Sequence, residues 1–233
     1  MHATLQQLRL FEAVARLGGA RGRPAPQGDE DFSFGGMSFL ISGLLLAGFF
    51  GLQQRAPWTE GGINDSVAVF GNGEIWRTVT ALTLHADLLH LVSNLVGGTG
   101  FGLLVARCFG AGPGWLLILL SGAAGNMLNA WVHFPEVHRS LGASTAVFGA
   151  LGLLTGFGIH GAMRAPGRRF SVPAWAVPAL GGMTLLGLLG MGGIRLDVAA
   201  HLSGFFCGGL FGWLATAGRA ALRGRRWVHH WAA

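Results

Sequence analysis

The sequence predicts an all-α integral membrane protein, a bundle of six transmembrane helices with both termini in the cytoplasm. Three observations predict it. First, hydrophobic residues make up 51% of the 233 residues, while Asp, Glu, Lys and Arg make up only 11%. An ordinary soluble domain is about 25% charged. A soluble chain this short could not bury so much apolar surface, and the composition is equally far from disorder. Second, the charges divide the chain into six uncharged runs: Phe32–Gln54, Leu88–Ala106, Cys108–Pro135, Ser140–Met163, Phe170–Ile194 and Val198–Gly218. Each is long enough for a helical span of about 20 residues, whereas membrane barrel strands are about 10 residues of alternating polarity. Third, every basic residue is Arg, and twelve of the 16 fall in segments on one side when the N-terminus is placed inside. Arg55, Arg77, Arg139 and Arg195 fall on the other side. Cytoplasmic loops carry the excess of Arg, so this asymmetry sets the orientation. The net charge of +6 is thereby read as a preference for the lipid bilayer over nucleic acid.

Three regions follow. Residues 1–36 form a cytoplasmic amphipathic segment and linker, residues 37–218 the six-span domain, and residues 219–233 a basic cytoplasmic tail. Within the first, Thr4–Gly18 places Leu5, Leu8, Phe11, Ala15 and Leu17 near one helical face. This stretch resembles the opening helix of LysR-type transcription regulators, but no recognition helix follows. An amphipathic helix resting on protein or membrane is expected instead. The apolar core starts too late, after acidic residues, for a cleavable signal peptide. A bacterial plasma membrane is the expected location.

Polar side chains at membrane depth are costly, which makes them functional candidates. Span two opens with HADLLHLVSN, carrying His85, His90 and Asn94. Span four opens with GASTAVFGALG, carrying Ser144. Span six opens with DVAAHLSGFFCG, carrying His201. In the predicted orientation all three spans begin at the outer face, so these groups share one depth. Small residues surround Ser144, and unpaired backbone N–H groups at a helix N-terminus favour an anion. A neutral His201 imidazole is suited to take the serine proton. His90 and Asn94 stand at i and i+4 on one face and both can donate to an oxyanion. His85 lies off that face, where a structural role suits it. Gly204 and Gly208 on span six, with Gly149, Gly152 and Gly156 on span four, form small-residue stripes that permit close helix contact.

The other polar residues read more plainly. Asn126 and Asn129 in span three are interhelical glue, and His133 and His138 belong to an outer loop or its rim. Asp197 either orients the His201 imidazole or serves the helix dipole alone. Three histidines without shared i, i+4 spacing and without an evident carboxylate ligand do not predict zinc. No cofactor is expected.

Taken together, these motifs resemble the rhomboid intramembrane serine proteases. The resemblance runs from about Ser38 to Gly218. It rests on E-x-W-R at Glu74–Arg77, H-x4-H-x3-N at His85, His90 and Asn94, Gly142-Ala143-Ser144, and AH-x-x-G from Ala200-His201 to Gly204. It implies a Ser144–His201 dyad that hydrolyses peptide bonds, with His90, Asn94 and the Ser144 N–H holding the oxyanion. His85, Trp76, Arg77, Gly142 and Gly204 would support the site structurally. Span five and the loop beyond Gly190 would form a gate. Substrates would be single-span transmembrane proteins cut near the outer end of their helix. One departure stands out: Thr145 occupies the position where the family motif has Gly. It either narrows the site or packs sideways without effect. The competing reading is a catalytically silent rhomboid-like protein that binds membrane helices. A transporter or channel fits less well, because the polar groups form no path across the bilayer.

Overall fold

The computed structural model describes residues 30–55, 59–164 and 197–230. The expected fifth span, the gate and the Thr4–Gly18 helix lie outside the described residues. The first described helix is α1, Glu30–Gln53, which covers most of the expected first span and contains the apolar stretch Leu40–Gln53. Among the described residues four helices are long and apolar enough to cross a membrane, so the protein is an integral, multi-pass membrane protein. They lie in α5 (Leu88–Phe109), α6 (Ala111–His133), α7 (Ser144–Met163) and α8 (Val198–His230).

The break between α5 and α6 differs from the expectation. The uncharged runs place it at Arg107, whereas the structure places it at Gly110. Arg107 stays in the last turn of α5, where a cation suits the negative end of the helix dipole. Gly110 adopts φ +88°, a conformation that ends a helix at little cost only in glycine.

Helix α7 is the centre of the bundle. Every residue from Thr145 to Gly156 is buried, as expected for a helix that is apolar all round. It packs against α8, α6 and α5. Val105 and Phe109 of α5, Ile118 of α6, and Ala150 and Leu153 of α7 share one core cluster. In lipid the gain from such contacts is van der Waals packing, because lipid tails are as apolar as leucine. Small residues therefore set how near the helices come. A Cβ on Gly152 or Gly156 would meet α8 backbone, and one on Gly208 would meet the backbone of Gly149. Gly149 itself faces α6, where a Cβ would lie 2.6 Å from Ser121 Cβ. At the far end from Ser144, Arg219 donates to the carbonyls of Cys108 and Phe109, capping α5.

The connections at the Ser144 end are ordered by polar contacts. They contain α2 (Thr59–Gly62), β1 (Asn64–Asp65), α3 (Ser66–Gly71), α4 (Arg77–Thr80), a 3-10 turn at Ala81–Thr83, and β2 (Arg139–Ser140). Strands β1 and β2 pair antiparallel, with Asn64 opposite Ser140 and Asp65 opposite Arg139. Ser66 extends this join: its N–H donates to the His138 carbonyl at 3.0 Å, and its Oγ accepts from the His138 N–H at 2.8 Å. Asp65 caps α3 through the N–H groups of Val67 and Ala68. Arg77 donates to the Glu74 carboxylate at 2.6 Å and to the carbonyls of Glu60 and Ile63. Asn126 works within this assembly rather than between spans. Its Nδ2 donates to the Thr78 carbonyl, and its own carbonyl accepts from Asn64 Nδ2.

Candidate active site

Ser144 is the first residue of α7, and His201 lies one turn into α8. Ser144 Oγ lies 2.9 Å from His201 Nε2. The imidazole is buried and stacks on Phe148, with ring centroids 4.5 Å apart and planes 15° from parallel. Phe148 stands one turn after Ser144 on the same helix, so α7 supplies both the hydroxyl and the surface on which the imidazole stacks. His201 Nδ1 has no hydrogen-bond partner among the described residues. A neutral imidazole carrying its proton on Nδ1 leaves Nε2 free to accept from Ser144, which is the tautomer a base requires.

The close approach comes from glycine. A Cβ on Gly204, one turn after His201, would overlap the Thr145 carbonyl. Thr145 packs sideways: it is buried, and its Cγ2 would lie 2.8 Å from a Cβ on Gly125 and 3.0 Å from one on Gly204. Its methyl thus fills space between α6 and α8 that the two glycines leave open.

Gly142 shapes the approach to Ser144. Its φ is +126°, a region other residues enter only with strain. Its N–H donates to the Ala81 carbonyl at 2.9 Å, which joins the segment after Arg77 to the serine loop. An ideal Cβ here would lie 2.7 Å from His90 Nε2 and 3.5 Å from Ser144 Oγ, so both atoms border one small space. Asn94 follows His90 by one turn of α5. It is buried, and its Nδ2 has no partner among the described residues. Asp87 caps α5 by accepting the His90 N–H at 2.7 Å.

His85 is fully buried and meets the His90 ring edge-on at 5.2 Å between centroids. Its Nε2 is 3.5 Å from the Ala143 N–H. The Gln53 side chain grips the His85 backbone at two points, accepting from its N–H at 3.0 Å and donating to its carbonyl at 2.7 Å. Burial, then the neighbouring His90, lowers the His85 pKa from 6.5 to about 4. It therefore stays neutral as a packing and acceptor group. Trp76 presents an exposed ring at the start of α4, and Arg77 ties Glu60 of α2 and Ile63 before β1 to its own segment as described.

Asp197 does not orient the imidazole. Its carboxylate accepts from the Ala200 N–H at 2.9 Å, from Asn129 Nδ2 at 3.1 Å, and bonds His138 Nε2 at 2.7 Å. Burial alone would raise its pKa, but the Ala200 N–H and then His138 hold it below the usual carboxylate value. The sequence reading missed Phe148 and Gln53. The i+4 spacing of Phe148 from Ser144 was a usable signal. Gln53 left none, because its partner is remote in the chain.

A family profile described as Rhomboid domain matches residues 72–218. The chain belongs to the rhomboid family. RHOMBOID-like protein 6, mitochondrial, of Arabidopsis thaliana is 37% identical over 106 residues, covering 46% of this rhomboid and 34% of the relative. Rhomboid protease GluP of Bacillus subtilis is 36% identical over 125 residues, covering 50% and 24%. RHOMBOID-like protein 4 of Arabidopsis thaliana is 33% identical over 165 residues, covering 67% and 38%. The chain thus spans between a quarter and two fifths of the length of these relatives. They come from a plant and a bacterium, so the expected bacterial plasma membrane finds no particular support in them.

Proposed function

We propose that this rhomboid is an intramembrane serine endopeptidase. The observation that carries the reading is the 2.9 Å approach of Ser144 Oγ, at the start of the buried helix α7, to the buried His201 Nε2 of α8. Ser144 attacks the scissile carbonyl as His201 takes its proton. The tetrahedral oxyanion is held by His90, Asn94 and the Ser144 N–H at the start of α7. His201 then protonates the leaving amine, the acyl-enzyme forms, and a water activated by His201 releases the second product. Asn94 Nδ2, without a partner among the described residues, supports this reading, since a buried donor without an acceptor costs free energy unless a ligand supplies one.

The substrates of this reading are single-span transmembrane proteins. A segment cut near the outer face frees backbone groups that can reach water, which is not so at the bilayer centre. The arginine asymmetry of the sequence supports a reading with both termini in the cytoplasm and Ser144 toward the opposite side. The test is cleavage of a labelled single-span substrate by the purified protein in detergent. Ser144→Ala and His201→Ala should each abolish cleavage while the thermal melt is kept. Unchanged cleavage by either variant overturns the dyad. Substrate binding without cleavage by the wild type would establish the silent, helix-binding alternative.

A further inference from the structure

The proteolytic reading uses Ser144, His201, His90 and Asn94, but leaves a second polar cluster without a role. Asp197, His138, His133 and Asn129 close a ring beside the site. Asp197 Oδ2 accepts from Asn129 Nδ2 and pairs with His138 Nε2. The His138 ring stacks on His133, with centroids 3.7 Å apart and planes 8° from parallel. His133 Nδ1 donates to the Asn129 carbonyl at 2.8 Å, returning to the residue that holds Asp197. The His138 backbone is fixed on both sides by Ser66.

Two routes lead from this ring to the reacting atoms. One runs down the first turn of α8, where the His201 N–H donates to the Asp197 carbonyl at 3.2 Å. The other leaves His138 along β2, passes Gly142 pinned to Ala81, and ends at Ser144. Helix capping alone does not account for the arrangement. A cap needs only the oxygen that accepts from Ala200, whereas the second oxygen is committed to α6 and to the serine loop. We propose that Asp197 and His138 are a positioning pair, locking the start of α8 onto the loop that delivers Ser144 and so setting the Ser144–His201 distance. This rests on the proteolytic reading and deepens it.

The experiment separates positioning from capping. Asp197→Ser keeps a good helix cap but is too short to reach His138 and Asn129. It should lower kcat about tenfold or more, the scale of a sub-ångström misplacement, with KM within about twofold and little change in the melt. His138→Phe should lower kcat similarly. The double variant should fall no further than the worse single one, because both remove one contact. Asp197→Asn keeps the cap and the reach. The imidazole tautomer and the Asn129 amide can both reverse polarity to meet it, so kcat should stay within about threefold of wild type. Wild-type kcat in Asp197→Ser, additive losses in the double variant, or losses that merely track the melt would overturn the positioning role. Ser144→Ala sets the background. Wild-type cleavage no higher than that background overturns the proteolytic reading and this inference together, whereas robust wild-type cleavage with an indifferent Asp197→Ser overturns this inference alone.

Discussion

Gly204→Ala adds one methyl group where α7 and α8 cross beside the Ser144–His201 pair. The new Cβ would overlap the Thr145 carbonyl oxygen and lie 3.0 Å from both the carbonyl carbon and Cγ2 of Thr145. Restoring normal van der Waals spacing requires the helices to separate by about 1 Å. Thr145 is buried against both neighbouring helices and its carbonyl is backbone, so rotating a side chain relieves little. Ser144 adjoins Thr145 and His201 lies one turn before Gly204, so the displacement falls on their 2.9 Å separation. At about 3.9 Å the hydrogen bond is lost. A misplacement of this size costs about a hundredfold in rate, or about 2.7 kcal/mol of barrier. Overpacking also costs about 1–3 kcal/mol of stability. The assay is kcat on a single-span substrate beside a thermal melt. Gly161→Ala, where a new Cβ meets nothing within 4 Å among the described residues, serves as the control that should leave kcat unchanged and raise the melt slightly, as removing a helical glycine does. A Gly204→Ala protein with wild-type kcat and melt would refute the argument that glycine sets the approach.

Three further outcomes are expected. Thr145→Gly removes a buried methyl and hydroxyl and adds a helical glycine, so the melt should fall by about 2 kcal/mol equivalent with no gain in cleavage. A large rise in activity would instead show that Thr145 narrows the site. Asn94→Ala should lower kcat about a hundredfold, as one lost oxyanion donor, without destabilising the fold, since its Nδ2 has no partner to lose among the described residues. Equal kcat would remove Asn94 from the oxyanion site. His85 is held neutral down to about pH 4 when folded, against 6.5 otherwise, so below pH 6.5 the unfolded chain binds a proton that the folded chain refuses. Its contribution is complete above pH 6.5 and is lost as the pH falls toward 4, by at most about 3 kcal/mol. Melts from pH 7.5 to 4.5 should slope less steeply in His85→Gln, and equal slopes would contradict a buried, neutral His85.

Much of the fold is legible in the charge pattern, because lipid makes every charge inside a span expensive. That pattern found the runs that became α5 to α8, though it misplaced the α5–α6 break, where a glycine turn mattered more than the arginine. The polar residues left inside the runs were equally legible, and Ser144 and His201 do meet. What stayed hidden depends on tertiary partners. Two-residue strands such as β1 and β2 carry no periodicity to read. Asn129 and Asp197 stand 68 residues apart, and only the fold reveals that they bond each other. Thr145 left two readings open in sequence, and the empty faces of Gly125 and Gly204 favour the sideways one.

The most direct test of the account is covalent labelling by a fluorophosphonate probe, with the modified residue located by mass spectrometry. Labelling requires a serine whose hydroxyl is activated by a neighbouring base. The account predicts stoichiometric labelling of wild-type protein at Ser144, none in Ser144→Ala, and little in His201→Ala. Equal labelling of the wild type and His201→Ala, or no label on Ser144 in folded wild-type protein, would contradict it.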